Sequence, residues 1–206
     1  MTETTGAAVI GIGNEFRRDD GVGLAVAAEV RERAVARPLP PGTTVHASDG
    51  DPGRLIRLWE HADLAVLVDA CFPPSPRPGR IHRWCRLLDF LPHAVAGTHS
   101  STHGWGVART VRLAHTLGRC PRHLLVYGVE GAERALGTGL TPAVAAAVGP
   151  LVERIEGDLA RYALAGANGP AAWVSRADHR RASSVPGLPA GHAGRTPVVR
   201  PDDLAP

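Results

Sequence analysis

The stretch Gly11–Gly23, GIGNEFRRDDGVG, follows a short apolar run, Ala7–Gly11 (AAVIG), and leads into a segment in which Val22, Val26 and Val30 recur every four residues. An apolar run, a glycine-rich turn and an amphipathic segment, in that order, describe a buried strand, a tight connection and a helix that covers the sheet. The glycines invite a phosphate-binding reading. The dinucleotide fingerprint G-x-G-x-x-G fits at Gly11 and Gly13 but fails at Phe16, and the acidic ribose contact belongs at the end of a second strand, not in this turn. Asp19 and Asp20 also put negative charge where a phosphate at a helix start needs backbone N–H groups alone. No nucleotide is expected. The turn offers instead a crevice with carboxylates at its edge, which suits a cation, although a single aspartate in such a place is more simply a helix N-cap.

Working outward, short apolar runs alternate with amphipathic segments, the pattern of an α/β domain with a mostly parallel sheet. The first helix is expected over Gly21–Ala34, a second strand over Thr43–Ala47, and a second helix over Pro52–His61. Leu64–Val68 (LAVLV) is a continuous apolar run, expected where both faces of a sheet are covered, and it stops at Asp69. After the proline-rich connection Phe72–Gly79, alternation of arginine with apolar residues over Arg80–Trp84 predicts an edge strand. The loop Gly97–Gly104 (GTHSSTHG) leads into a helix from about Trp105 to Leu117, and His123–Val129 predicts the last strand. Thr141 and Pro142 mark a helix start, a side-chain cap followed by proline at the first helical position. The expected architecture is three-layer α/β/α around a mostly parallel, roughly five-stranded twisted sheet.

From Ala167 onward Pro, Gly, Ala, Ser, Arg and His dominate without periodicity, and such a segment cannot bury enough apolar surface to offset its ordering entropy. The expected division is an α/β domain over residues 1–166 and a disordered basic tail over residues 167–206. Five arginines against three aspartates give that tail +2 of the formal net charge of +3, so the body is nearly neutral. A neutral body does not fit a nucleic-acid surface. The three cysteines, Cys71, Cys85 and Cys120, are too far apart for a zinc ribbon or a redox pair and are expected as reduced thiols. No basic segment precedes the first apolar run, which is far too short to span a bilayer. A soluble, cytoplasmic protein is expected, with monomer the default because no heptad pattern is sustained.

In a parallel α/β sheet, strand ends and helix starts converge at the carboxyl edge, where ligands bind. Asp20, Asp69 and His103 would all arrive there, and an O, O, N donor set suits a borderline divalent metal such as nickel or zinc. Each has a plainer alternative: Asp20 as a cap, Asp69 as a turn acceptor, His103 as one polar loop residue among ten histidines, with His99 as a rival. Asp19 is a conceivable general base, against a cap or a structural hydrogen bond. Cys71, two residues past Asp69, raises a thiol peptidase as an alternative. No G-x-S-x-G elbow supports a serine mechanism through Ser100 or Ser101.

Gly11-Ile12-Gly13-Asn14 with Asp19-Asp20-Gly21-Val22-Gly23 resembles the opening motif of the nickel-iron hydrogenase maturation proteases. The resemblance continues at Asp49-Gly50, Val68–Ala70 (VDA), Ser101–Gly106 (STHGWG) and Gly139–Val144 (GLTPAV), and runs in order from Ala7 to about Leu164. It implies an endopeptidase that removes a C-terminal peptide from the precursor of a hydrogenase large subunit after nickel insertion. It also implies that Asp20, Asp69 and His103 recognise the nickel, which the substrate supplies, and so chooses His103 over His99. The implied partner is the nickel-loaded precursor, with neither nucleic acid nor membrane. A metal-sensing chaperone without peptidase activity would use the same three side chains. Asp20 stands where some members carry glutamate, a reach shorter by one methylene. Asp51-Pro52 stands where many continue with glycine and threonine. Phe16 replaces a usual leucine, with only repacking expected.

Overall fold

The computed structural model of the 206-residue chain describes residues 6–85 and 104–165. Five strands, β1 (Ala7–Ile12), β2 (Thr44–Ser48), β3 (Leu64–Cys71), β4 (Ile81–Trp84) and β5 (His123–Glu130), form one sheet in the order β2-β1-β3-β5-β4. All neighbours are parallel except β4, which pairs antiparallel with β5 at the edge. Among the described residues the α-helices are α1 (Val22–Ala36), α2 (Pro52–Trp59), α3 (Gly104–Thr116) and α4 (Pro142–Ala165). This is the three-layer α/β/α arrangement that the alternation of apolar runs predicts. The tail reading, residues 167–206, lies outside the described residues.

Each strand divides its side chains between two cores. Val9, Val66, Val68, Leu125 and Val129 face Val26 and Val30 of α1 and Leu151, Ile155 and Leu159 of α4. Ile10, Ile12, Leu67 and Val126 face Leu55 and Trp59 of α2 and Val107 and Val111 of α3. Period-2 alternation sends Asp69 and Cys71, which follow Leu67, and Glu130, which follows Val126, to the α2/α3 side at the carboxyl edge.

Helix α1 sits unusually close to the sheet. A methyl group on Gly23 would lie 2.3 Å from the Ile12 carbonyl oxygen and 2.4 Å from that of Val68, so only glycine lets the helix cross the ends of β1 and β3. Gly13 has φ +155, and a Cβ there would meet the Asp20 carbonyl oxygen at 1.9 Å. The motif glycines thus fold the turn back against its own strand.

Helix α1 begins later than expected. A 3-10 turn, Arg18–Gly21, precedes it, its N-cap is Gly21, and no side chain caps it. The N-cap alternative for Asp20 is therefore wrong. Helix α2 does start as the sequence predicts: Asp51 Oδ1 accepts from the Arg54 N–H at 2.7 Å, with Pro52 in the first turn. Strand β3 runs past its apolar stretch to Cys71 because pairing with β5 continues through Asp69↔Gly128 and Cys71↔Glu130. At the outer edge of β2, Arg31 donates to the Val45 carbonyl (Nη2, 3.0 Å) and Arg54 to that of Ala47 (3.4 Å).

Candidate functional site

In the order β2-β1-β3, the chain leaves β1 toward one side of the sheet and resumes on the other, which opens a crevice at the carboxyl ends of β1 and β3. The 3-10 turn after β1 carries Asp20 and packs against β3, the strand that carries Asp69. Asp20 is 2% exposed and Asp69 5%, so two carboxylates are buried at one crevice. Asp69 Oδ1 accepts from the Ala70 N–H at 2.8 Å, which fixes its rotamer. His103 lies outside the described residues. Helix α3 starts at the next residue, Gly104, on the sheet face to which Asp69 points. Among the described residues no three His, Cys, Asp or Glu side chains are grouped to hold a metal.

The turn that presents Asp20 is fastened by its neighbour. Asp19 is fully buried and accepts four hydrogen bonds. Its Oδ2 takes the Ala132 N–H (2.8 Å), the Glu133 N–H (3.0 Å) and the Thr141 hydroxyl (3.0 Å), and its Oδ1 takes the Thr141 N–H (2.7 Å). Burial pushes this carboxyl up, but the donors from Glu133, Thr141 and Ala132 outweigh it, and the group is held below the usual carboxylate value. A carboxylate so saturated makes a poor general base, so Asp19 takes the structural role. The Thr141 hydroxyl, expected as a helix cap, is used here instead. Backbone bonds complete the zip: Arg18 N–H to Gly137 O (3.0 Å), Gly137 N–H to Phe16 O (2.9 Å) and Asp19 N–H to Glu133 O (3.0 Å). Arg18, at φ +49, is strained within it.

Beside β3, Glu130 is a buried carboxylate that the sequence did not single out. Its Oε1 lies 2.6 Å from His82 Nε2 and 3.8 Å from the Arg80 guanidinium, and its Oε2 accepts from the Arg77 N–H at 2.5 Å. These contacts hold the proline-rich loop Phe72–Gly79 against the end of β5. Burial, then the charges of Glu130 and Asp69, push the Cys71 thiol up to about 12. The thiolate needed for nucleophilic attack is scarce at neutral pH, which removes the ground for a thiol peptidase.

On the β2 side of the crevice, Gly13, Phe16, Leu24, Ser48, Asp49 and Arg54 line an open cleft of about 380 Å³. Phe16 is 61% exposed at its margin, so the repacking expected there has few neighbours to involve. No helix among the described residues is long and apolar enough to cross a membrane.

The hydrogenase expression/formation protein HupD of Bradyrhizobium diazoefficiens is 28% identical over 148 residues, 70% of this chain and 73% of that protein. The hydrogenase 2 maturation protease of Escherichia coli is 26% identical over 149 residues, covering 71% and 86%. The hydrogenase maturating endopeptidase HybD from E. coli shares the fold, with TM-score 0.63 at 22% identity over 76% of this chain and 93% of that one. The [NiFe] hydrogenase maturation protease HybD from Thermococcus kodakarensis does so with TM-score 0.58 at 21% identity, over 74% and 98%. The family model for hydrogenase maturation proteases matches residues 50–158, more than half of the chain. Its sheet, its motif turn and these matches together establish that the chain belongs to the hydrogenase maturation protease family, and is a hydrolase of the endopeptidase kind.

Proposed function

We propose that the protein removes a C-terminal peptide from the precursor of a nickel-iron hydrogenase large subunit after nickel insertion, and recognises the nickel through Asp20, Asp69 and His103. The observation that carries this reading is the burial of Asp20 and Asp69 at one crevice, on a turn and a strand packed together. A divalent cation arriving with the substrate would meet two carboxylates carried by elements that already pack together. With an imidazole they form an O, O, N donor set suited to nickel.

The metal belongs to the substrate, and it would polarise the scissile carbonyl or acidify an attacking water. The chain's own contribution is placement. Asp19 and the Ala132–Thr141 loop hold the turn, and the Ala70 N–H holds Asp69, so both carboxylates are set before the substrate arrives.

The test is to add the protein to a nickel-loaded large-subunit precursor and follow the precursor's mass. Shortening at the C-terminus by the wild type, lost in folded Asp20→Asn, Asp69→Asn and His103→Ala, is the expected result. Full cleavage by all three variants would remove the assignment, and no cleavage by the wild type would leave a nickel-sensing binding role in its place.

A further inference from the structure

Large apolar side chains left in water are unremarkable one by one. Their placement here is not random. Val35, Leu113, Leu117 and Leu164 sit at or just past the C-terminal ends of α1, α3 and α4, toward the amino edge of the sheet. Phe16 and Leu136, 61% and 80% exposed, are the others among the described residues, and both belong to loops at the carboxyl edge. They are far apart in sequence yet joined in space: Arg17 and Gly137 form a parallel bridge, and each of the two apolar residues immediately precedes one member of it. The Gly137 N–H donates to the Phe16 carbonyl at 2.9 Å, so the pair is held by backbone.

We infer that Phe16 and Leu136 form an apolar rim that docks an extended segment of the precursor beside its scissile bond. The inference rests on the proposed function and adds a recognition surface to it. Three features select this occupant. Phe16 also lines the cleft of about 380 Å³, whose other walls include Ser48, Asp49 and Arg54. That space takes one or two side chains and offers polar groups to the backbone of an extended chain, where a helix would not enter. The rim continues through Arg17 and Arg18 into the turn that bears Asp20, so a segment seated on it lies next to the buried carboxylates. Finally, two side chains supply far less than the roughly 800 Å² per partner that a stable dimer buries, which matches a substrate that must leave after one turnover.

An interaction made alike in bound substrate and transition state changes KM and leaves kcat. The experiment compares processing of nickel-loaded precursor by the wild type, Phe16→Ser, Leu136→Ser, the double variant, and Val35→Ser as a still more exposed control at the far end of α1. The double variant should raise KM by about tenfold or more with kcat within about twofold, and Val35→Ser should match the wild type. Cleavage by the wild type with the same KM in the double variant overturns the rim and leaves the proposed function standing. Absence of cleavage by the wild type overturns both. A concentration-dependent dimer in sedimentation that the double variant abolishes would assign the rim to a second copy of the chain, and would overturn the inference as well.

Discussion

Asp158 and Asp19 are both fully buried, yet they are neutralised by different means. Asp158, on α4, is met by side chains: Arg83 donates through Nε and Nη2 at 3.1 Å each, the Tyr127 hydroxyl at 2.5 Å, and Arg161 also donates to it. Asp19 is met by backbone N–H groups and one hydroxyl, all from the Ala132–Thr141 loop. The first cluster joins a helix to the edge strand β4 and to its neighbour β5. The second joins a loop to the turn before α1. Charge pairing therefore holds the layers of the fold together, whereas dipoles hold the turn that presents Asp20.

Replacing Asp158 by Ala should break that contrast most heavily. It takes the buried carboxylate away from Arg83, Tyr127 and Arg161 together, and a urea titration should show a loss of about 3–5 kcal/mol, with processing per folded molecule unchanged. Asp19→Asn should do the reverse. The amide cannot accept from all four donors, so stability should fall by about 1–3 kcal/mol while cleavage falls about tenfold or more because Asp20 loses its placement. Equal activity per folded molecule in the two variants would erase the distinction.

The same carboxyl gives a pH signature. Asp19 is held below its ordinary value of 3.8, so the unfolded chain binds its proton more readily than the folded one. Its contribution is complete above the unfolded value and is lost as pH falls through the folded one. The stability gap between wild type and Asp19→Asn should stay constant above about pH 5 and narrow as acid is added below that, in urea titrations at successive pH values. The smallest effect belongs to Cys71→Ala. With its thiol pushed up to about 12, Cys71 should be dispensable, and mass-monitored cleavage should continue undiminished.

Much of the fold was readable because it depends on local order. The α1 face at Val22, Val26 and Val30, the Asp51-Pro52 start of α2 and the buried run of β3 each show in a few adjacent residues, and each is observed. What escaped depends on partners distant in sequence. Nothing beside Asp19 announces that its acceptors will meet Ala132, Glu133 and Thr141, and for that reason Thr141 was read as a cap. Strand β3 extends by three residues only because β5 pairs with them. The exposure of Phe16 was not legible either, because an apolar letter says nothing about which side of a turn it faces. Of the candidate site, Asp20 and Asp69 were legible from motif and strand end, and Glu130 was not, since its neighbours Arg77 and His82 belong to another segment.

The arginines on β2 have a consequence for how the protein meets other chains. A parallel sheet that ends in an uncovered strand offers its carbonyls to any extended polypeptide, including a half-folded copy of itself. Here the Val45 and Ala47 oxygens are already occupied by Arg31 and Arg54. A newcomer would have to evict two guanidinium groups to add a strand. An endopeptidase built in this way keeps its own sheet from capturing a stray polypeptide strand.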